Sequence, residues 1–107
     1  MTSIFTRIIN REVPAEILFE DDEFICIEDI APKAKIHYLV IAKHPWKDVT
    51  EAVRDDPLFV NKILAIAVRL TKDFGSQFRL IFNTGALVGQ TVFHVHAHIL
   101  SGEALGE

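Results

Sequence analysis

The sequence contains few of the residues that mark disulfide-rich, fibrous or membrane-spanning proteins. Its 107 residues include four prolines, five glycines and a single cysteine, Cys26. One cysteine excludes an internal disulfide, and its place in the apolar segment Phe24–Ile27 predicts a buried thiol. No apolar stretch approaches the roughly 18 residues that a membrane-spanning helix needs. The first seven residues do not resemble a secretion signal. The expected location is therefore a reducing intracellular compartment, the cytoplasm.

Positive charge is also scarce. Eleven lysines and arginines face fifteen aspartates and glutamates, which gives a formal net charge of −4. This balance argues against long nucleic acids and anionic membranes as partners. A mononucleotide remains compatible, because a few local donors can bind one phosphate. With 107 residues, half of them hydrophobic, the chain is expected to form one domain, residues 1–107, around a single modest core.

Three of the five histidines stand at alternate positions near the C-terminal end. Apolar residues separate them, and strict alternation is typical of a β-strand. The predicted strand covers residues 92–100. Because side chains alternate between the two faces of a strand, one face carries His94, His96 and His98, and the opposite face carries Phe93, Val95, Ala97 and Ile99.

Three imidazoles on one face favour chemistry over structure. A single histidine on a strand is usually a partly buried residue whose ring nitrogens are satisfied by neighbours, but three together need too many buried partners. One chemical interpretation is a zinc site, since imidazole is a common zinc ligand. The other is nucleophilic and acid–base chemistry on a phosphate.

The segment before the histidines favours the phosphate. Residues 83–91 follow the predicted strand 78–82 and supply two glycines, an asparagine, a glutamine and two threonines. Successive backbone amides in such a loop can wrap an anion. A glycine-rich loop alone is weak evidence, because most are simple turns. The segment holds no carboxylate or cysteine to complete a metal site, so no metal is expected.

The remaining pattern predicts an α+β fold. Ser3 can cap a short helix that has Ile4, Phe5, Ile8 and Ile9 on one side and ends before Pro14. Residues 17–19, 24–28 and 37–42 are predicted strands. One long helix is expected over residues 57–74, capped by Asp56 and ended by Gly75. The expected fold is thus a five-stranded, mainly antiparallel sheet with one long helix after the third strand and a short N-terminal helix.

Two sets of motifs resemble a known family. The C-terminal motif resembles the signature of the histidine triad superfamily, and the N-terminal half is similar to its branch of nucleotide-binding proteins and nucleoside phosphoramidases. The first motif is Gly89-Gln90-Thr91-Val92-Phe93-His94-Val95-His96-Ala97-His98-Ile99-Leu100, and the second set includes Pro14-Ala15-Glu16-Ile17-Leu18, Glu20-Asp21-Asp22, Ile27-Glu28-Asp29-Ile30-Ala31-Pro32 and His37-Tyr38-Leu39-Val40-Ile41. The resemblance implies the same fold, built as a symmetric homodimer whose sheets join.

The resemblance also implies catalytic roles. His96, the middle histidine, would be the nucleophile, and His98 would contact the phosphate and help to protonate the leaving group. His94 and His37 would support the site by fixing ring orientation and tautomer. The nucleotidyltransferase branch carries glutamine where this chain has His98, so the resemblance implies a hydrolase. His44 matches no catalytic position and is expected to be a surface loop residue.

The substrate contacts implied by the resemblance fall into three groups. Asp29 would bind the ribose hydroxyls, although a turn carboxylate before Ala31-Pro32 is an alternative. The loop contacts for phosphate and ribose would be Asn83, Gly89, Gln90 and Thr91. The base pocket would be lined by Phe5, Ile8, Ile27 and Ile30, which could equally be core residues.

The expected activity is hydrolysis of the P–N bond in purine nucleoside 5′-phosphoramidates of the AMP-lysine or AMP-NH2 kind, through a covalent nucleotidyl-histidine and without a cofactor. Two alternatives stay open: hydrolysis of dinucleoside polyphosphates, and a nucleotide-binding regulator with weak catalysis. The segment Lys43-His44-Pro45-Trp46 and the short tail after Leu100 depart from the family pattern, which leaves the leaving group open.

Overall fold

A computed structural model describes residues 3–107, in which five strands form one sheet. In chain order they are β1 (Ile17–Glu20), β2 (Phe24–Glu28), β3 (Ile36–Ala42), β4 (Arg79–Ile81) and β5 (His96–Ser101). Their order across the sheet is β1-β2-β3-β5-β4, and every neighbouring pair is antiparallel. The predicted α+β class with a mainly antiparallel sheet is confirmed.

Three helices accompany the sheet: α1 (Ile4–Ile9), α2 (Val49–Asp55) and α3 (Phe59–Leu70). The N-terminal helix follows its prediction, because the Ser3 side chain accepts a hydrogen bond from the Thr6 backbone N–H. Phe5 and Ile8 are its buried residues. A serine cap satisfies one of the amides that the first turn leaves unpaired.

The long helix is shorter than predicted at both ends. It begins at Phe59 rather than at Pro57, because the Asp56 carboxylate accepts the Leu58 N–H in a turn. It ends at Leu70, and residues Lys72–Phe74 form a separate 3₁₀ turn that closes at Gly75 with φ 70°. The predicted cap at Asp56 and the predicted end at Gly75 therefore belong to the flanking turns.

Helix α2 was not predicted. Asp48 caps it by accepting the Glu51 N–H, and the Glu51 carboxylate in turn accepts the Lys47 N–H. This reciprocal arrangement resembles a capping box. The spacing Asp48-Val-Thr-Glu51 is the sequence feature that indicates the start of this helix. The helix has only seven residues and lies between two prolines, so too few turns are present for a helical periodicity to be recognised.

The two faces of the sheet bury separate apolar clusters. Helices α2 and α3 cover one face, here called the helix face, where Phe24, Cys26, Val40, Ala97 and Ile99 are fully or almost fully buried. As predicted, the Cys26 thiol is a core group, and burial raises its pKa to about 12. The six-residue α1 packs on the opposite face, here called the site face, against Ile25, Ile27, Leu39 and Ile41.

The last strand also differs from its prediction. It begins at His96, not at Val92, because the Val95 N–H donates to the Trp46 carbonyl in the segment after β3. Val95, Ala97 and Ile99 face the core as predicted, whereas Phe93 is 51% exposed and the prediction that it joins them is wrong.

None of the helices among residues 3–107 has the combination of length and apolar character that would let it cross a membrane.

Candidate active site

Strand pairing brings three histidines together on the site face. In the antiparallel pair β3–β5, His96 lies opposite Ile41, His98 opposite Leu39, and Leu100 opposite His37. Directly opposed residues share a face. A one-residue slip would turn both β5 histidines into the helix face, so the packing of Ala97 and Ile99 into the core fixes where the imidazoles point.

A cavity of about 370 Å³ opens beside His96 and His98. Because α1 has only six residues, it covers part of the site face and leaves this region open. A larger cavity of about 500 Å³ lies under the C-terminal tail, but it is lined by no histidine. The smaller cavity is therefore the candidate active site, because His96 and His98 line it.

A backbone carbonyl sets the protonation of His96. Nδ1 of His96 lies 2.8 Å from the His94 carbonyl oxygen. A carbonyl only accepts hydrogen bonds, so Nδ1 must carry the proton and donate it. In the neutral ring Nε2 is then unprotonated and keeps its lone pair. Burial lowers the pKa of His96, which favours this neutral form near pH 7.

His37 sets the protonation of His98 in the opposite sense. The Lys33 backbone N–H donates to Nδ1 of His37 at 3.0 Å, so the neutral His37 ring holds its proton on Nε2. That Nε2 donates to Nδ1 of His98 at 2.9 Å. His98 therefore carries its own proton on Nε2. Burial, with the neighbouring His96, lowers the pKa of His98 to about 4.

His94 does not line the cavity. It is 1% exposed, its Nε2 donates to the Ala42 carbonyl, and its Nδ1 accepts from the Ser3 and Thr6 hydroxyls at 2.9 and 3.2 Å. The His94 side chain therefore ties α1 to the segment before β5, and the His94 backbone carbonyl fixes the orientation of the His96 ring. His44 lies away from the site, exposed and 4.4 Å from the Trp46 ring.

Asp29 lines the cavity and is also a turn residue. One carboxylate oxygen accepts the Ala31 N–H at 2.8 Å, and the other lies 3.4 Å from Nε2 of His37. The two interpretations of Asp29 are compatible, because each carboxylate oxygen can accept more than one hydrogen bond.

The loop over residues 83–91 is held together by Gln90. Its carbonyl oxygen accepts the Gly85 N–H, and its amide nitrogen donates to the carbonyls of Lys47 and Val92. Gln90 is 4% exposed, so its carboxamide shapes the loop from inside. Gly85 and Gly89 have φ near +100°. Residues with a Cβ atom rarely adopt this backbone conformation, whereas glycine adopts it readily. Asn83, Gly89 and Thr91 line the cavity with it.

The four residues expected in the base pocket all line the cavity. Phe5, Ile8 and Ile27 are largely buried, but Ile30 is fully exposed at the rim. An exposed isoleucine beside an apolar cavity suits a ligand contact. The sequence did not point to five further lining residues, since their types are common elsewhere in the chain: Ile4, Glu28, Lys33, Leu39 and Val92.

Asp29, His37 and His98 also form a compact group of possible metal ligands, with their nitrogen and oxygen atoms within 4.8 Å of one another. A metal at this point would need the lone pair of His37 Nε2. The Lys33 N–H occupies Nδ1 and keeps the proton on Nε2, so the local hydrogen bonding opposes metal binding. This group is better suited to passing a proton than to holding a cation.

Comparison with known proteins agrees with this geometry. The profile of the family described as "Scavenger mRNA decapping enzyme C-term binding" matches residues 2–106. An uncharacterized HIT-like protein of Synechocystis is 44% identical over 102 residues, which cover 94% of this chain and 90% of that protein. The chain belongs to the histidine triad (HIT) family. The three alternating histidines, His94, His96 and His98, are here called the triad.

Solved HIT structures share the fold over nearly their whole length. A HIT family hydrolase from Clostridium thermocellum superimposes with a TM-score of 0.91 at 38% identity, covering 99% of this chain and 95% of that one. A histidine triad protein from Clostridium difficile gives a TM-score of 0.91 at 33% identity, covering 100% and 96%.

The buried triad predicts a loss of stability in mild acid. Burial lowers the pKa of His94, His96 and His98 below 6.5 in the folded chain. Unfolded histidines therefore bind protons first, and stability falls as the pH drops below about 6.5. Urea midpoints measured at pH 7.5 and pH 5 should fall less for His98→Asn than for the wild type. The exposed His44→Asn variant is the control, and an equal fall in all three proteins would contradict the argument.

Proposed function

We propose that this HIT protein is a nucleotide-binding hydrolase that cleaves the P–N bond of purine nucleoside 5′-phosphoramidates through a covalent nucleotidyl-histidine. The observation that carries the proposal is the hydrogen bonding of two neighbouring rings, which places the proton of each neutral ring on a different nitrogen. His96 keeps a free lone pair on Nε2, and His98 keeps a proton on Nε2. A nucleophile and a proton donor thus stand side by side, with ring centroids 5.1 Å apart.

In the first step, Nε2 of His96 attacks the α-phosphorus. The new N–P bond forms as the bond to the leaving amine breaks, and Nε2 of His98 gives the amine nitrogen its proton. His98 must be cationic for this transfer, so on substrate binding its Nδ1 takes up a proton from solvent, and the Nε2–H of His37 then donates to the Asp29 carboxylate, 3.4 Å away, instead of to His98. Burial opposes that charge in the free protein, but an anionic phosphate beside the ring favours it. His98 therefore becomes a proton donor only when the substrate, with its leaving group, is bound.

In the second step, water replaces the amine. The now neutral His98 accepts a proton from the water, whose oxygen attacks the phosphorus. The bond to His96 breaks, and a nucleoside monophosphate leaves. Two displacements at lower barriers replace one at a higher barrier. Amides of the loop at residues 83–91 and the Thr91 hydroxyl would bind the phosphate oxygens.

The cavity suits a nucleoside. Its apolar lining residues Phe5, Ile8 and Ile30 can contact a purine. Asp29, whose carboxylate lies 3.4 Å from Nε2 of His37, can accept hydrogen bonds from ribose hydroxyls. The hydrolase from Clostridium thermocellum carries the same fold at 38% identity, which supports hydrolysis as the reaction class. Profiling the purified protein against P–N, P–O–P and P–S linked nucleotides tests the proposal; faster cleavage of P–O–P linkages would favour a dinucleoside polyphosphate hydrolase.

His96→Ala should reduce turnover of a fluorogenic adenosine phosphoramidate by roughly 10⁴-fold or more, because the attacking atom is removed. AMP affinity, measured by calorimetry, should change little. His98→Ala should cost less, on the order of 10²- to 10⁴-fold, as expected for a lost proton donor. His44→Ala is the control. Normal turnover in the His96 variant would exclude the nucleotidyl-histidine mechanism.

Asp29 should determine the preference for ribose. A carboxylate that accepts from ribose hydroxyls forms bonds worth about 1.5–3 kcal/mol each, so the wild type should bind 2′-dAMP roughly 10- to 100-fold more weakly than AMP. Asp29→Ala should nearly abolish that difference. Asp29→Asn is the matched control, because it retains an acceptor for the Ala31 N–H. An unchanged ratio in the alanine variant would leave Asp29 as a turn residue only.

The exposed edge of the sheet supports a homodimer. Strand β4 pairs with β5 and, within residues 3–107, with no other strand, and an open edge favours pairing with another chain. Leu64 and Val68 on α3 are 40% and 48% exposed. A twofold partner could bury both features in one isologous interface.

Sedimentation at micromolar concentration should therefore show a dimer. The double variant Leu64→Glu with Val68→Glu should sediment as a folded monomer, because it places charge in the apolar contact. Val53→Glu, on the other exposed helix α2, is the control. A wild-type monomer would remove the proposed interface.

A further inference from the structure

A second cavity adjoins the one that holds the proposed nucleotide. It has a volume of about 140 Å³ and is lined by Lys33, His37, Ile81, Asn83, His98 and Leu100. Lys33, Asn83 and His98 line both cavities, so the two meet at the His98 ring. His96 lines the first cavity only. The second cavity therefore lies beyond His98 when viewed from His96.

This position suits a leaving group. In displacements at phosphorus the entering and leaving atoms stand roughly in line. If His96 attacks from the first cavity, the leaving group points away from it, toward His98 and the space behind that ring. A water molecule occupies about 30 Å³, so 140 Å³ accommodates a group of roughly four or five heavy atoms. The cavity fits a small amine rather than a second nucleotide.

Charge distinguishes this cavity from the first. Lys33 is the only lysine, arginine, aspartate or glutamate among its lining residues, and within residues 3–107 its side chain forms no ion pair. Asp29 and Glu28 line the first cavity together with Lys33, and none of the described aspartates or glutamates lines the second. Burial is the main cause of the lowered pKa of His37 and of His98; Asp29 raises both pKa values and Lys33 lowers both.

We propose that Lys33 is a specificity-determining residue and that the cavity behind His98 binds a small leaving group that carries an anionic substituent, such as the carboxylate of an amino acid joined to phosphorus through its amine. This inference rests on the proposed hydrolase function and narrows its substrate class. It disfavours a leaving group that carries a second, cationic amine, such as a diamine, because that ammonium would meet the Lys33 ammonium.

The test compares adenosine 5′-phosphoramidates of glycine, glycinamide and ethylenediamine, whose leaving groups are similar in size and are anionic, neutral and cationic. Intrinsic reactivity differs among the three amines, so the quantity to compare is the ratio of kcat/KM values in each variant relative to the wild type. Lys33→Met removes the charge at similar length and retains the backbone N–H that holds His37. Lys33→Glu reverses the charge. Lys35→Met, an exposed lysine outside both cavities, is the control.

The glycine-to-glycinamide ratio should fall about fivefold in Lys33→Met, which corresponds to ~1 kcal/mol, the upper range for an exposed ion pair. Relative to the wild type, Lys33→Glu should lower the glycine-to-ethylenediamine ratio further than Lys33→Met does, and Lys35→Met should leave every ratio unchanged. If both Lys33 variants still cleave the P–N bond and their ratios equal those of the wild type, the proposed role of Lys33 is refuted and the hydrolase proposal is unaffected.

Binding separates this inference from the proposed function. Calorimetry of the same three compounds with the His96→Asn variant, and with that variant carrying Lys33→Met, measures the subsite without turnover. If no compound is cleaved by the wild type but the binding ratios still depend on Lys33, the hydrolase proposal fails and the anion subsite stands. If the binding ratios of the His96→Asn variant do not depend on Lys33 either, the anion subsite is refuted.

Discussion

The antiparallel register between β3 and β5 is the constraint on which the rest of the site depends. Opposite pairs such as His98 with Leu39 and His96 with Ile41 place both imidazoles on the face that α1 covers only in part. The alternate residues Ala97 and Ile99 are fully buried under α2 and α3. Shifting β5 by one position would bury two imidazoles in an apolar core and expose that core to water, so the hydrophobic packing of one face positions the chemistry of the other.

Backbone groups then give chemically equivalent rings different functions. The His94 carbonyl places a proton on Nδ1 of His96, and the Lys33 N–H, acting through His37, places one on Nε2 of His98. Both arrangements use main-chain atoms, which cannot titrate, and both residues lie in the segments that lead into β3 and β5. Burial lowers the pKa of both rings, which favours neutral imidazoles in the free protein. In the proposed mechanism, His98 becomes charged only when the phosphate binds.

The type and place of most elements were predicted well, and the ends of α3 and the start of β5 were predicted least well. The strands over β1–β4, the Ser3 cap and the core position of Cys26 follow the sequence closely. Asp56-Pro57 resembles a helix start, yet the turn formed by the Asp56 carboxylate delays α3 to Phe59. The alternation from residue 92 onward resembles one strand, yet the Trp46 carbonyl takes the Val95 N–H and β3 pairing begins only at His96. Both errors arise because a competing hydrogen-bond partner, invisible in the local pattern, was available.

The sequence alone determined the fold class, the family resemblance and the set of residues that could act, because alternation, composition and motif spacing are local properties. Tertiary structure alone decided what each residue can do. His94 carries the same side chain as its two neighbours but is buried under α1, Gln90 directs its carboxamide into its own loop, and Lys33 borders two cavities that distant strands enclose. These differences depend on which donor, acceptor or charge lies within a few ångströms after folding, and partners many residues away in the chain leave no mark on the local pattern.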